Sequence, residues 1–541
     1  MALSDSAWRT PARAAKQRLS LGRTPGAAWR VLGAILLAAL CGGPALAIAI
    51  QAASSLVQAP AALLHPLWLE SLLGTISLAL LGGGGAAALG AGAALLISLC
   101  RFPGRGLFEL LLAAPLAAPA YVLAYAYGAM TGPGGPAPLG WDGQTKTALV
   151  YALAFYPYVY LATRAGLLGQ PAGALEAARA LGASPLAALG RVILPLARPA
   201  IAAGTALALM ECVADYGAAA FFGASSLATG VFRAWYAQGD PGLAMQLSAG
   251  LLLAAMVLIG WERASRRGRI AATANERWRA PPRYRLGLWH GMLAALFCCV
   301  LLAVAAGLPL FWLARLAWLD QGNWARLADP LARSLLLAGV GVVVTLSAAA
   351  AAASLMRAGG RLGARVVDLA AAGYAAPGAV IALGALAWTG WARGAGMLAG
   401  LAGAASLAVL IWAYAARFTA AGAQPIAAGL LRVSPSVTAA ARTLGAGPWR
   451  RFCRIELPIA TPSLLAGGLI IFVEVLKELP ATLILRPLDW DTLAVRAHAY
   501  AADERLVQAA APALLITLAG LGPLLLFTYG MARSRTGEKA P

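Results

Sequence analysis

Apolar runs long enough to cross a bilayer, about 20 residues each, follow one another along the chain with only short polar interruptions. They fall near 31–52, 68–99, 107–131, 146–168, 199–222 and 243–261, and again near 288–316, 333–356, 366–390, 396–417, 461–485 and 507–531. The pattern predicts an all-α integral membrane protein of about 12 transmembrane helices, arranged as two six-helix halves.

The halves repeat in register. Gly182 and Gly445, Pro195 and Pro458, Pro199 and Pro462, and Ser71 and Ser334 are each separated by 263 positions. Ala113–Pro119 is echoed by Ala371–Pro377 with a small shift. Parallel halves of this kind are an expected transporter architecture, related by an axis along the membrane normal. The expected division is a basic N-terminal segment at 1–30, a first half at 31–262, a basic linker at 263–287, a second half at 288–531 and a tail at 532–541.

Composition agrees with a membrane protein. Of 541 residues, 61% are hydrophobic and 12% charged, and the mean hydropathy is +0.74, too little polar surface for a soluble chain. A net charge of +21 would point to nucleic acid in a soluble protein. Here the arginines cluster between apolar runs, where the positive-inside rule accounts for them, and nucleic-acid binding is not expected. With the N-terminus in the cytoplasm, the clusters at Arg101 and Arg105, Arg179 to Arg198, Arg263 to Arg285, Arg357 to Arg365, Arg442 to Arg454 and Arg533 to Lys539 all fall inside. Asp142, Asp240, Asp320, Asp489 and Asp503 fall outside, and both termini are expected in the cytoplasm. Ala45-Leu46-Ala47 superficially resembles a signal-peptidase site, but the long basic segment before it favours an uncleaved first helix. Six scattered cysteines without a CxxC pair and three scattered histidines indicate neither a disulfide frame nor a metal cluster. Gly82–Gly85, inside an apolar run, reads as a helix-packing face rather than a phosphate loop.

Two polar islands interrupt the pattern. The first runs Glu176-Ala177-Ala178-Arg179-Ala180-Leu181-Gly182 to Leu194-Pro195, and the second runs Ala439-Ala440-Ala441-Arg442-Thr443-Leu444-Gly445 to Leu457-Pro458. Each reads as two short helices with a bend. Gly182 suits a left-handed C-terminal position, Ser184 a cap and Pro185 a first helical turn. Leu186, Leu189, Val192 and Ile193 form an apolar face opposite Arg191, and Pro195 is expected to end the element before the next span enters at Pro199. A bent amphipathic helix of this kind can lie on the membrane or insert into a partner's groove.

The span after each island carries acids at matching places: Glu211 with Glu474, and Asp215 with Glu478, each pair again 263 apart. Glu211 lies twelve residues beyond Pro199, or roughly 18 Å at helical rise. An ionised group at that depth costs about 2.5–3.5 kcal/mol on insertion scales and should face a partner or a wet path. Lys477, three residues after Glu474, offers that acid an internal partner. Glu211 has no base nearby in sequence and is the better candidate for a translocation path.

The islands resemble the cytoplasmic coupling loops of binding-protein-dependent ABC importer permeases. Lys477-Glu478-Leu479-Pro480 through Ala494, with Ala214-Asp215-Tyr216-Gly217 and Thr229–Trp235 in the first half, further resembles the fused two-half ferric iron permeases. The resemblance covers most of the chain. It implies the type I ABC importer permease fold, a site in the bacterial inner membrane, two ATP-binding cassette subunits docked on the islands, and an external solute-binding protein. It also implies coupling residues at Glu176, Ala177, Ala178, Arg179, Gly182, Pro195, Ala439, Arg442, Gly445 and Pro458. One departure is Ala439, which stands where the first island has Glu176. None of the lysines Lys16, Lys146, Lys477 and Lys539 follows a glycine, so the chain has no P-loop, and ATP is expected to be used by a separate subunit. No cofactor is expected on this chain. Carboxylates suit a hard trivalent cation, but thiamine and phosphonate permeases are built on similar scaffolds. A proton-coupled carrier also has two six-helix halves, yet leaves the paired islands unexplained. No nucleophile elbow or HExxH motif supports a membrane enzyme.

Overall fold

The computed structural model describes residues 27–58, 64–132, 135–138, 140–168, 176, 178–266, 283–320, 324–358, 360–394, 404–431 and 433–536. Most of the linker between the halves therefore lies outside the described residues. Within them the regular secondary structure is helical apart from one short parallel ladder, in which Cys100–Arg101 pairs with Tyr284–Arg285. Among the described residues, eight continuous helices are long and apolar enough to cross a membrane: Arg30–Val57, Pro66–Leu99, Leu189–Ala214, Pro241–Ser265, Leu288–Leu319, Trp324–Arg357, Ser406–Leu430 and Trp449–Leu476.

The predicted spans at 107–131 and 366–390 are not straight. Arg105–Ala117 meets Ala120–Thr131 at 91°, and Asp368–Ala375 meets Gly378–Gly394 at 107°. Pro119 and Pro377 stand at the two breaks, in the motif that repeats between the halves. Proline lacks the N–H a continuing helix needs and pushes the residue before it out of the helical region; Ala118 has φ −96° and ψ 122°. The other two predicted spans are Gly143–Leu168, whose polar tyrosines Tyr151, Tyr156 and Tyr160 are buried among neighbouring helices, and Leu506–Thr536.

The spans predicted at 199–222 and 461–485 are corrected at both ends. They end earlier, at Ala214 and Leu476, and short helices Gly217–Phe222 and Pro480–Leu485 follow a break. They also begin earlier, because Pro195 does not end the element: helix runs from Pro185 through Pro195 and Pro199 to Ala214. A π turn at Leu189–Ile193 makes this possible, with the Leu194 N–H bonded to the Leu189 carbonyl five residues back. The wider turn accommodates the ring of Pro195, which would clash in a regular α-turn. The second half repeats the device at Phe452–Glu456, 263 positions on and two residues before Pro458.

The first helix of each half packs on the other half. Ala34 and Leu37 share a core with Ala349, Leu355, Val366 and Ala423, whereas Ala294, Cys298, Leu301 and Ala305 join the core around Tyr151, Tyr156 and Tyr160. Pro44, inside Ala27–Gln58, cannot donate to the Leu40 carbonyl. Trp412 Nε1 of the second half donates to that carbonyl instead at 3.1 Å, and Trp388 Nε1 donates to Gly43 O at 2.7 Å. In return Tyr127 Oη donates to Val304 O at 2.6 Å. Ala47 and Ile48 are fully buried, whereas Leu46 is 56% exposed, so the segment that resembles a cleavage site lies inside a packed helix with one face turned outward. The Gly82–Gly85 stretch is a packing face: a Cβ on Gly82 would come 2.8 Å from Tyr151 Cβ, and one on Gly85 2.9 Å from Ala152 Cβ.

Trp412→Phe leaves the Leu40 carbonyl buried without a partner and is expected to destabilise the protein by about 1–3 kcal/mol. Thermal unfolding of the detergent-solubilised protein measures this. In a Pro44→Ala background, which restores the intrahelical bond, the same substitution is expected to cost much less.

Candidate functional site

The two islands form the bend that their glycines predict. Gly182 has φ 82° and Gly445 φ 74°, the left-handed conformation that a helix C-terminus requires. In the first island Gly182 N donates to Arg179 O and Ala183 N to Ala178 O, each at 3.0 Å. In the second, Gly445 N donates to Arg442 O at 3.0 Å and Ala446 N to Ala441 O at 2.9 Å. Ser184 Oγ accepts from Ala187 N at 3.3 Å and caps the helix that opens at Pro185. Ala188, Ile193 and Ala197 anchor the first island against Leu99 and Leu167. Glu176, Arg179, Gly182, Ala439, Arg442, Gly445 and Pro458 are exposed, whereas Ala178 and Pro195 are half-buried. Ala177 lies outside the described residues. Leu181 and Leu444, 263 positions apart, are 88% and 85% exposed, so each bend holds out an apolar side chain with nothing packed on it.

The acids beyond the islands meet in one cavity of about 80 Å³, between the halves and at the breaks that follow Ala214 and Leu476. That volume admits a few waters. Glu211 and Asp215 line it from the first half and Glu474, Lys477 and Glu478 from the second, with Tyr121 and Tyr158 beside them. The second half also supplies Arg417, which sequence reasoning missed. The signal was present: Arg417 is a lone arginine within the apolar Ala404–Leu430 helix, a position that demands a counter-charge.

Asp215 and Glu478 hold the broken ends together. Asp215 Oδ2 accepts from Ala218 N at 2.9 Å and from Tyr151 Oη at 3.0 Å. Glu478 Oε1 accepts from Ala481 N at 3.1 Å, and its other oxygen pairs with Arg417. The capped amides, Ala218 and Ala481, are again 263 apart, as are Tyr151 and Tyr414, whose hydroxyl bonds Thr482 Oγ1 at 2.7 Å. Glu474 is neutralised by Lys477, with Nζ 2.8 Å from Oε1. The Glu211 carboxylate has no hydrogen-bond or ion-pair partner among the described residues. Four acids and two bases leave the cavity with a formal charge of −2, and both bases come from one half. The positions that match Lys477 and Arg417 in the first half are Ala214 and Ala154.

Residues 86–261 match the family described as binding-protein-dependent transport system inner membrane component. The chain is 25% identical over 477 residues to an Fe(3+)-transport system permease protein of Haemophilus influenzae, an alignment that covers 86% of this chain and 91% of the relative. It is 30% identical over 117 residues to a sulfate transport system permease protein of Escherichia coli, covering 21% of this chain and 41% of that one. It is 29% identical over 114 residues to a putative 2-aminoethylphosphonate transport system permease protein of Salmonella typhimurium, covering 21% and 42%. The domain match and the alignment over nearly the whole chain together support an ABC importer permease. It is a multi-pass component of an inner membrane, with the two halves of the permease fused in one polypeptide, and permeases of this family are the non-enzymatic membrane component of their transporters. A permease of this family works with an ATPase and a substrate-binding protein.

Arg417→Met leaves the Glu478 carboxylate buried without its cation and is expected to cost about 3–5 kcal/mol. The double variant Arg417→Met, Glu478→Gln is expected to regain most of that loss, because the unpaired charge is gone. Thermal unfolding of the single and double variants checks both.

Proposed function

We propose that this permease carries ferric iron, released by an external solute-binding protein, through the acid-lined cavity between its halves. The observation that carries this reading is the cavity's charge: matched acids from both halves outnumber the bases, and the Glu211 carboxylate has no hydrogen-bond or ion-pair partner among the described residues. Carboxylate and phenol oxygens are hard donors suited to a hard trivalent ion. The relative that aligns over nearly the whole chain is named for the same cargo. The relatives named for sulfate and 2-aminoethylphosphonate handle anions, for which a net negative cavity is a poor fit.

In this reading the termini and both islands lie in the cytoplasm, and the halves correspond to 31–262 and 288–531. One ATP-binding cassette subunit grips each island. The left-handed glycines aim Leu181 and Leu444 into the two subunits, and the subunits hydrolyse ATP that this chain has no P-loop to hold. The chain itself holds no cofactor. Glu211, Asp215, Glu474, Lys477 and Glu478 form the path, with Asp215 and Glu478 also fixing its walls. Glu176, without an acidic counterpart at Ala439, makes the first island the more sensitive to loss of charge.

Removing the Glu211 charge is expected to slow uptake of radiolabelled ferric iron about tenfold in Glu211→Gln, equivalent to about 1.4 kcal/mol. ATPase association is expected to stay intact in that variant. Undiminished uptake, or equal competition by thiamine, would count against the iron path. Gly182→Ala and Gly445→Ala each force a Cβ into the left-handed region at about 1–2 kcal/mol, and co-purification of the ATPase is expected to fall in both. For Glu176→Ala, coupling of ATP hydrolysis to uptake should drop, and Ala439→Glu should strengthen it; indifference to both would show that the asymmetry is inert.

A further inference from the structure

A second charged site lies where the halves are stitched together at the membrane edge. The Pro66–Leu99 helix ends one residue before the Cys100–Arg101 strand, and the Leu288–Leu319 helix begins three residues after the Tyr284–Arg285 strand. The ladder therefore sits at the level where two apolar helices leave the hydrocarbon. Arg101 and Arg285 are paired in register, and Leu286 N bonds Arg101 O at 3.4 Å. Partial burial, with Arg105 and Arg101 close by, pushes the Arg283 pKa down. Arg105 is balanced by Glu109 at 3.0 Å, and Glu109 also pairs with Arg164. Arg101, Arg179, Arg283 and Arg285 have no ion-pair partner among the described residues.

Two further observations point to a ligand. The Tyr284 hydroxyl is shielded from solvent and has no hydrogen-bond partner among the described residues, while Arg179 of the first island lies 5.0 Å over the Tyr284 ring. Beside this cluster, apolar side chains face outward: Leu107 is 61% exposed, Leu288 74% and Trp289 76%. Arginines at the edge of a bilayer with a tryptophan and leucines at the same level match a lipid's two parts, the phosphate and the acyl chains.

We propose that the Arg101, Arg283, Tyr284 and Arg285 cluster binds the phosphodiester headgroup of an anionic glycerophospholipid, whose acyl chains lie against Leu107, Leu288 and Trp289. The arginines supply the charge; a shift of the Arg179 side chain off the Tyr284 ring uncovers the hydroxyl, which donates to a phosphate oxygen and so gains the partner it lacks. Arg179 carries the site into the first island, so the lipid stabilises the bend there. This inference does not depend on which solute the permease carries.

The test is native mass spectrometry of the purified full chain, titrated with phosphatidylglycerol or phosphatidylcholine of the same acyl chains. The wild type is expected to retain phosphatidylglycerol in preference. Arg101→Gln, Arg285→Gln together should weaken that retention about thirtyfold. Tyr284→Phe should weaken it about tenfold, the loss of one bond to a charged group. The Tyr284 hydroxyl has no hydrogen-bond partner among the described residues, so Tyr284→Phe is expected to leave thermal stability without lipid unchanged; this variant keeps the test valid if the arginine variant folds poorly. Unaltered retention in Tyr284→Phe overturns the proposal. So does displacement of the lipid by millimolar inorganic phosphate, which would make free phosphate the occupant.

Discussion

Inside a bilayer no water is available to satisfy a backbone amide, so each interruption of a helix must supply its own hydrogen-bond partners. The central breaks of this permease obey that constraint, and the acid cavity follows from it. Where the Leu194–Ala214 and Leu457–Leu476 helices stop, Asp215 and Glu478 accept from the amides of Ala218 and Ala481. A neutral acceptor could have capped those amides. Acids instead place fixed negative charge at the junction of the halves, and Arg417 at Glu478 and Tyr151 at Asp215 then follow as the groups that make that charge tolerable.

The same constraint explains the other irregularities. Pro44 leaves the Leu40 carbonyl without its helical donor, and Trp412 from the opposite half supplies one, so a local defect becomes a tie between halves. The π turns before Pro195 and Pro458 let the islands run without interruption into the spans. Each island's second helix is therefore continuous with the span that carries Glu211 or Glu474.

The two halves share a backbone plan but divide the chemistry unequally. Acids recur at both breaks, whereas both bases of the cavity belong to the second half. The second half is locally balanced by Arg417 with Glu478 and Lys477 with Glu474. The first half relies on a phenol and a backbone amide at Asp215 and leaves Glu211 open. A duplicated fold thus acquires a polarity across its pseudo-two-fold axis that neither half would have alone.

Much of this was legible in the chain itself. Apolar runs, the 263-residue register and the glycine and proline punctuation determine a two-half helical membrane protein with paired islands, because each is a local property of backbone conformation or of transfer from water. Register also paired Glu211 with Glu474 and Asp215 with Glu478. Three things were decided only in three dimensions. Bends at Pro119 and Pro377 replaced straight spans, because a proline in an apolar run can be absorbed or can break the helix, and the neighbouring helices decide which. Pro195 was absorbed because a π turn precedes it. Arg417, 61 positions before Glu478, became part of the site only when the Ala404–Leu430 helix packed against the second break. Sequence spacing reveals partners one helical turn apart, as with Glu474 and Lys477; a buried charge whose counter-ion lies on another helix finds it only through tertiary packing.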